Sequence, residues 1–127
     1  MGYDSSRGPL LTLIDDDRSV RESLPELLRE SGYEVDTFAS AEAFLASADP
    51  GRAKCLIVDV VMPGMSGPEL QRELQRRGQS LPVIFITANA DGTMRPRLLE
   101  QGAVECLFKP FTERALLAAI GSALRVA

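Results

Sequence analysis

Apolar residues along this chain follow two alternating patterns. Three short apolar runs, Leu10-Leu11-Thr12-Leu13-Ile14, Cys55-Leu56-Ile57-Val58 and Val83-Ile84-Phe85-Ile86, broken only by Thr12, stop abruptly at Asp15, Asp59 and Thr87 respectively. Runs of this length suit strands buried on both faces. Tyr33 to Phe38 alternates instead, and Val104 to Phe108 makes a fifth strand-like run ending at Lys109. Between the runs the apolar period lengthens to that of a helix. Val20, Leu24, Leu27 and Leu28 predict a first helix from about Arg18 to Ser31, with Gly32 as its stop. Pro25 lies inside it, removing one backbone hydrogen bond and predicting a kink. Ala41, Phe44, Leu45 and Ala48 predict a short second helix with Ser40 as N-cap and Asp49-Pro50-Gly51 as stop. Pro68 opens a third, with Leu70 and Leu74 facing the core and Gly78 ending it. Met94 and Leu98 mark a short fourth helix closed by Gly102, and Thr112 caps a fifth that carries Leu116, Leu117, Ile120 and Leu124.

Five strands alternating with five helices imply a parallel sheet covered on both faces and joined by right-handed crossovers. The expected fold is α/β: a flavodoxin-like (βα)5 three-layer sandwich with a five-stranded parallel sheet in the order 2-1-3-4-5. At 127 residues the chain has room for one such domain, read as residues 9–127 behind a flexible leader at 1–8.

Composition then narrows the chemistry. Hydrophobic residues at 45% and charged residues at 25% are a globular balance. A net charge of −4 without any basic run excludes direct nucleic-acid binding by this segment. No apolar stretch approaches the roughly 18 residues of a membrane span, and the start lacks a signal peptide, so the expected location is cytoplasmic. The absence of histidine removes most zinc sites and the Ser-His and Cys-His nucleophile pairs. Chemistry must then run on carboxylates, hydroxyls and lysine. Cys55 and Cys106 lack Cys-x-x-Cys spacing and read as buried thiols. In the order 2-1-3-4-5 one strand separates them, about 9–10 Å, beyond disulfide reach.

In a sheet of this kind the strand-end residues converge on one rim, where ligands bind. Asp15, Asp16 and Asp59, with Thr87 and Lys109, would all lie there. Each alone has an ordinary explanation: a helix cap, a strand-end hydroxyl, a solvated charge. Together they call for a cation, because gathered carboxylates repel one another. Magnesium takes one or two carboxylates, waters and a phosphate oxygen, which makes Asp16 and Asp59 candidate ligands. A carboxylate can also be the nucleophile toward a phosphoryl group while a lysine and a hydroxyl hold the transferring oxygens, which assigns roles to Asp59, Lys109 and Thr87.

Ile14-Asp15-Asp16-Asp17, Val58-Asp59-Val60-Val61-Met62-Pro63-Gly64-Met65-Ser66-Gly67, Ile86-Thr87-Ala88 and Phe108-Lys109-Pro110-Phe111 resemble the response-regulator receiver family of two-component signalling. The resemblance covers nearly the whole chain. Ser40-Ala41-Glu42-Ala43-Phe44-Leu45 and the Lys-Pro-Phe segment resemble its FixJ-type subgroup. It implies magnesium-dependent (or manganese-dependent) phosphoryl transfer to Asp59 from a histidine kinase or phosphotransfer protein. The ion would be held by Asp16, Asp59 and the Val61 carbonyl, with Asp15 reaching it through water. Lys109 would pair with the phosphoryl oxygens, Thr87 would swing in to bond one of them, and Lys109–Pro110 would be cis. The resemblance implies a switch rather than a turnover enzyme, with self-catalysed transfer and autodephosphorylation as its chemistry. Val61 and Asn89 occupy the positions that tune phosphoaspartate lifetime. Cys106 departs from the pattern, standing where the family has the aromatic partner of Thr87 in switching. The family's dimer surface, formed by the fourth helix, fifth strand and fifth helix, would include Arg95, Arg97, Glu100 and Arg114, which otherwise read as solvated charges.

Three rivals are weaker. An aspartyl phosphatase of the haloacid dehalogenase kind needs an acid two residues after the nucleophile, where this chain has Val61. A calcium loop starting at Asp15 would put Val20 at its obligatory glycine. A receiver-like module that is never phosphorylated would not need Asp59, Thr87 and Lys109 intact.

Overall fold

The structure is a computed structural model describing residues 8–47, 52–88 and 92–126. The apolar runs become strands β1 (Leu10–Ile14), β3 (Cys55–Asp59) and β4 (Val83–Thr87), and every residue of all three is buried. They form the middle of a parallel sheet in the order β2-β1-β3-β4-β5, as the pattern predicts. The edge strands β2 (Glu34–Phe38) and β5 (Glu105–Phe108) are only partly buried, which is why β2 alternates in sequence where the central strands do not. β5 begins one residue later than expected: Val104 N–H already bonds the Val83 carbonyl at 2.8 Å, but regular pairing starts at Glu105.

Side-chain alternation along the strands splits the core into two layers. Leu11, Leu13, Cys55, Ile57, Ile84 and Ile86 pack with helices α1 (Arg18–Glu30) and α5 (Glu113–Val126) on one face. Leu56, Val58, Val83, Phe85 and Cys106 pack with α2 (Ala41–Leu45), α3 (Gly67–Arg76) and α4 (Met94–Glu100) on the other. Each fully buried leucine or isoleucine contributes roughly 1.5–3 kcal/mol, and the three central strands supply eight of the twelve largest fully buried side chains among the described residues, so they carry a large share of the hydrophobic stabilisation. Cys55 and Cys106 are free and buried, and they point into opposite layers as well as lying two strands apart.

The helices start where polar side chains satisfy their first N–H groups. Asp17 accepts from Ser19, Ser40 from Ala43, and Thr112 from Ala115. Ser66 and Glu69 make a reciprocal capping box, with Pro68 in the first turn, so α3 opens at Gly67 rather than at the proline. α1 ends at Glu30 with Ser31 as its cap, and Pro25 is buried within it. The expected leader, apart from Gly8, and Ala48, the Asp49-Pro50-Gly51 stop and Asn89 lie outside the described residues.

Candidate functional site

The carboxyl ends of β1, β3, β4 and β5 deliver the site. Asp15 follows β1 and is fully buried; Asp16 beside it is exposed; Asp59 is the last residue of β3 and is buried. One carboxylate oxygen from each of the three lies within 4.8 Å of the others. Lys109, directly after β5, reaches back across the rim: its Nζ donates to Asp15 Oδ2 at 3.1 Å and to Asp59 Oδ2 at 3.3 Å. The Lys109–Pro110 peptide bond is cis. Thr87 closes β4, buried, and its carbonyl accepts the Lys109 N–H at 2.8 Å.

Backbone groups fix the remaining oxygens. Asp59 Oδ1 accepts the Val61 N–H at 3.1 Å, and Asp15 Oδ1 accepts the Asp17 N–H at 2.9 Å. The Arg21 guanidinium on α1 bonds the Asp15 carbonyl at 2.9 Å, a support that the sequence pattern did not reveal. Gly67 is a second such support. A Cβ there would stand 2.6 Å from the Asp59 carbonyl oxygen and 2.9 Å from the Phe85 ring, so only glycine lets α3 start against the end of β3.

Burial pushes the Asp59 carboxyl above the usual carboxylate range and the neighbouring Asp15 adds to that, while the Val61 N–H and Lys109 pull it back. Burial also works against the Lys109 ammonium, but its bonds to Asp15 and Asp59 outweigh this and hold its pKa above the ordinary lysine value. When all are ionised, three carboxylates face one ammonium. An all-oxygen, net-negative donor set with one exposed member fits a hard divalent cation.

Of the residues expected at the site, Asp15, Asp16, Asp59 and Lys109 are brought together directly, and Thr87 joins them through the backbone. Val61 stands beside them with its side chain in solvent, 63% exposed. Cys106 lies further down β5, paired in register with Phe85, where its thiol is buried in the layer covered by α2, α3 and α4. Burial raises its pKa, and that of Cys55 to about 12, so neither is a ready thiolate.

A model of the response regulator receiver domain matches residues 11–121. The chain belongs to the response regulator receiver family. It is 42% identical over 123 residues to the response regulator protein TodT of Pseudomonas putida, covering 97% of this chain and 54% of TodT. It is 43% identical over 112 residues to the transcriptional regulatory protein FixJ of Azorhizobium caulinodans, covering 88% and 53%. Among solved structures, the crystal structure of FixJ-N superposes with a TM-score of 0.86 at 37% identity, covering 94% of this chain and 96% of that one. The FixJ-type resemblance and the flavodoxin-like fold are thereby borne out. Receiver domains are signalling domains rather than conventional enzymes, and they generally use Mg2+. This chain spans about half the length of the curated relatives it matches. Among the described residues no helix is long and apolar enough to cross a membrane.

Proposed function

We propose that Asp59 is the phosphoacceptor of this receiver domain. The observation that carries the reading is the position of its carboxylate: one oxygen is held by the Val61 N–H, the other faces Lys109, and two further aspartates stand within 4.8 Å. The ionised Asp59 oxygen attacks the phosphorus of a phosphohistidine on a histidine kinase or phosphotransfer protein. The new P–O bond forms as the P–N bond breaks, and the imidazole leaves. Lys109, already between two carboxylates, is placed to follow the charge onto the phosphoryl oxygens, and the Thr87 hydroxyl accepts the role of their second partner. A bound Mg2+ or Mn2+, held by Asp16, Asp59 and the Val61 carbonyl with Asp15 reaching it through water, would supply the charge neutralisation that lets a phosphate approach this acidic rim. Hydrolysis of the phosphoaspartate by water would reset the switch.

The relatives' names and greater length support an output in transcription regulation, carried by a further domain that binds DNA while this one does not. The same reading places the domain in the cytoplasm and its dimer surface on α4, β5 and α5. A receiver-like module that is never phosphorylated is disfavoured, since the whole acceptor set is present and assembled.

The test is intact-protein mass after incubation with phosphoramidate or acetyl phosphate, in magnesium and then in EDTA, for wild type and Asp59→Asn. A magnesium-dependent gain of about 80 Da, absent from the variant, is expected for one phosphoryl group. No gain with either donor or with a cognate kinase would overturn the reading.

A further inference from the structure

The FixJ-type segment Ser40-Ala41-Glu42-Ala43-Phe44-Leu45 opens α2 just beyond the carboxyl end of β2, outside the acidic cluster, and one of its side chains reaches the loop that follows Asp59. Ser40 caps α2, Ala41 and Phe44 are buried in the core, and Phe44 meets Phe38 edge to face at 5.6 Å. These contacts set the helix down rigidly for so short an element. Glu42, in the first turn, is left to project across 23 residues of sequence, and its Oε2 accepts the Met65 N–H at 2.8 Å. Gly64, just before, has φ +78°, and a Cβ there would stand 2.6 Å from the same oxygen. The bare glycine and the carboxylate therefore fit each other.

The loop that Glu42 grips is the one carrying Val61. It is tied at its start by Val61 N–H to Asp59 Oδ1 and near its end by Gly67 N–H to the Val60 carbonyl and by the Ser66–Glu69 capping box. These ties lie within the β3–α3 segment itself; the start of the loop is also held from β4, where the Ile86 carbonyl accepts the Val60 N–H at 2.9 Å, but its Gly64-Met65 end is not. Glu42 adds an anchor from another element, through a charged acceptor, which makes a stronger bond than a neutral one.

We infer that Glu42 is a positioning residue for phosphoryl transfer: by holding the Met65 amide from α2, it fixes the loop whose Val61 backbone orients the Asp59 carboxylate. The inference rests on Asp59 being the phosphoacceptor. It gives the subgroup's α2 segment a part in the reaction although no atom of it belongs to the acidic cluster.

Three readouts on Glu42→Ala, Glu42→Gln and wild type test it. Hydrogen exchange of the Met65 amide should speed by about fivefold or more in Glu42→Ala, the loss of one hydrogen bond, and return toward wild type in Glu42→Gln, which keeps an acceptor oxygen. Mn2+ binding, followed by the paramagnetic resonance of the free ion, should weaken severalfold in Glu42→Ala and recover in Glu42→Gln. The rate of phosphorylation by phosphoramidate should fall in the same order, with the thermal midpoint little changed. Unchanged Mn2+ affinity and unchanged phosphorylation in Glu42→Ala would overturn the inference, as would a loss in which Glu42→Gln is no better than Glu42→Ala. If wild type takes up no phosphoryl group, the Asp59 reading fails, and the exchange and Mn2+ readouts still decide whether Glu42 orders the loop.

Discussion

Asp59 and Glu73 both accept hydrogen bonds from basic side chains, yet their carboxyls are shifted in opposite directions. Glu73, on α3, receives Arg76 and Arg77, and these two guanidiniums hold its pKa down at about 2. Asp59, at the rim, receives Lys109, but burial and the nearby Asp15 push its pKa up. The difference shows that contact with a cation does not by itself settle a carboxylate's state. Solvent access and the count of neighbouring charges decide it. On α3 two cations answer one acid, and nothing further is called for. At the rim one cation is shared among acids, and the residual negative charge is what a divalent ion, and then a phosphoryl group held with it, can relieve.

The sharpest way to break the comparison is to remove the cation from each cluster. Lys109→Ala leaves the fully buried Asp15 facing Asp59 with no ammonium between them. Removing one partner of a fully buried pair costs about 3–5 kcal/mol; with 23% of the Lys109 side chain reaching solvent, about 2 kcal/mol is expected here. Urea unfolding checks this. Adding Asp59→Asn to Lys109→Ala should restore part of the loss, because one of the two opposed charges is then gone. Arg76→Ala, by contrast, should leave the urea midpoint where it was, since that side chain is 71% exposed.

Sterics at the end of β3 give an effect of similar size. Gly67→Ala sets a methyl group against the Asp59 carbonyl and the Phe85 ring, and overpacking of this kind costs on the order of 2 kcal/mol. Phosphoryl uptake should fall with it, since α3 can start only by displacing the strand end that carries Asp59. Equal stability and equal uptake in the variant would show that the β3–α3 junction has room to give. This glycine also marks where sequence reading stopped. The strands were legible because each central one is an apolar run, broken only by the buried Thr12, that ends in a polar residue, and the rim followed from assembling those ends in one parallel sheet. Close approach of a helix start to a strand carbonyl leaves no such trace: Gly67 is legible only as the last residue of the segment that resembles the receiver family. Glu42 was visible only as one letter of a subgroup segment, because its partner is a backbone amide 23 residues away. That Cys55 and Cys106 face opposite layers depends on strand register, which the alternation within either strand cannot supply. The apolar pattern starts β5 a residue early because Val104, an apolar residue, belongs to the pairing without belonging to the regular strand.

A divalent cation should separate the two clusters at a smaller scale. Mg2+ at ten times its dissociation constant stabilises a protein that binds it only when folded by about 1.4 kcal/mol. The thermal midpoint of wild type should therefore rise with added Mg2+, and the rise should vanish in Asp59→Asn and shrink in Asp16→Asn. Glu73→Gln should keep the full rise. A midpoint in wild type that ignores Mg2+ at every concentration would mean that the three aspartates are balanced without an ion.

Acid titration gives the finest distinction, because the two carboxyls contribute slopes of opposite sign. The folded-state pKa of Asp59 lies above its ordinary 3.8, so between that value and the folded pKa the folded protein holds more protons than the unfolded chain. Stability contributed by this group therefore falls as pH rises through that window, and the deficit persists above it. Glu73 works the other way: its folded pKa is about 2 against 4.5 unfolded, so its contribution is present above 4.5 and is lost as pH falls toward 2. Urea midpoints from pH 3 to pH 7 should show Asp59→Asn gaining on wild type as pH rises through the Asp59 window. Glu73→Gln should lose slightly on wild type as pH rises toward 4.5, by an amount kept small because its arginine partners stand in solvent and salt screens them. Parallel curves for Asp59→Asn and wild type would mean that the rim carboxylate is as well solvated as the one on α3, and the contrast between the two clusters would disappear.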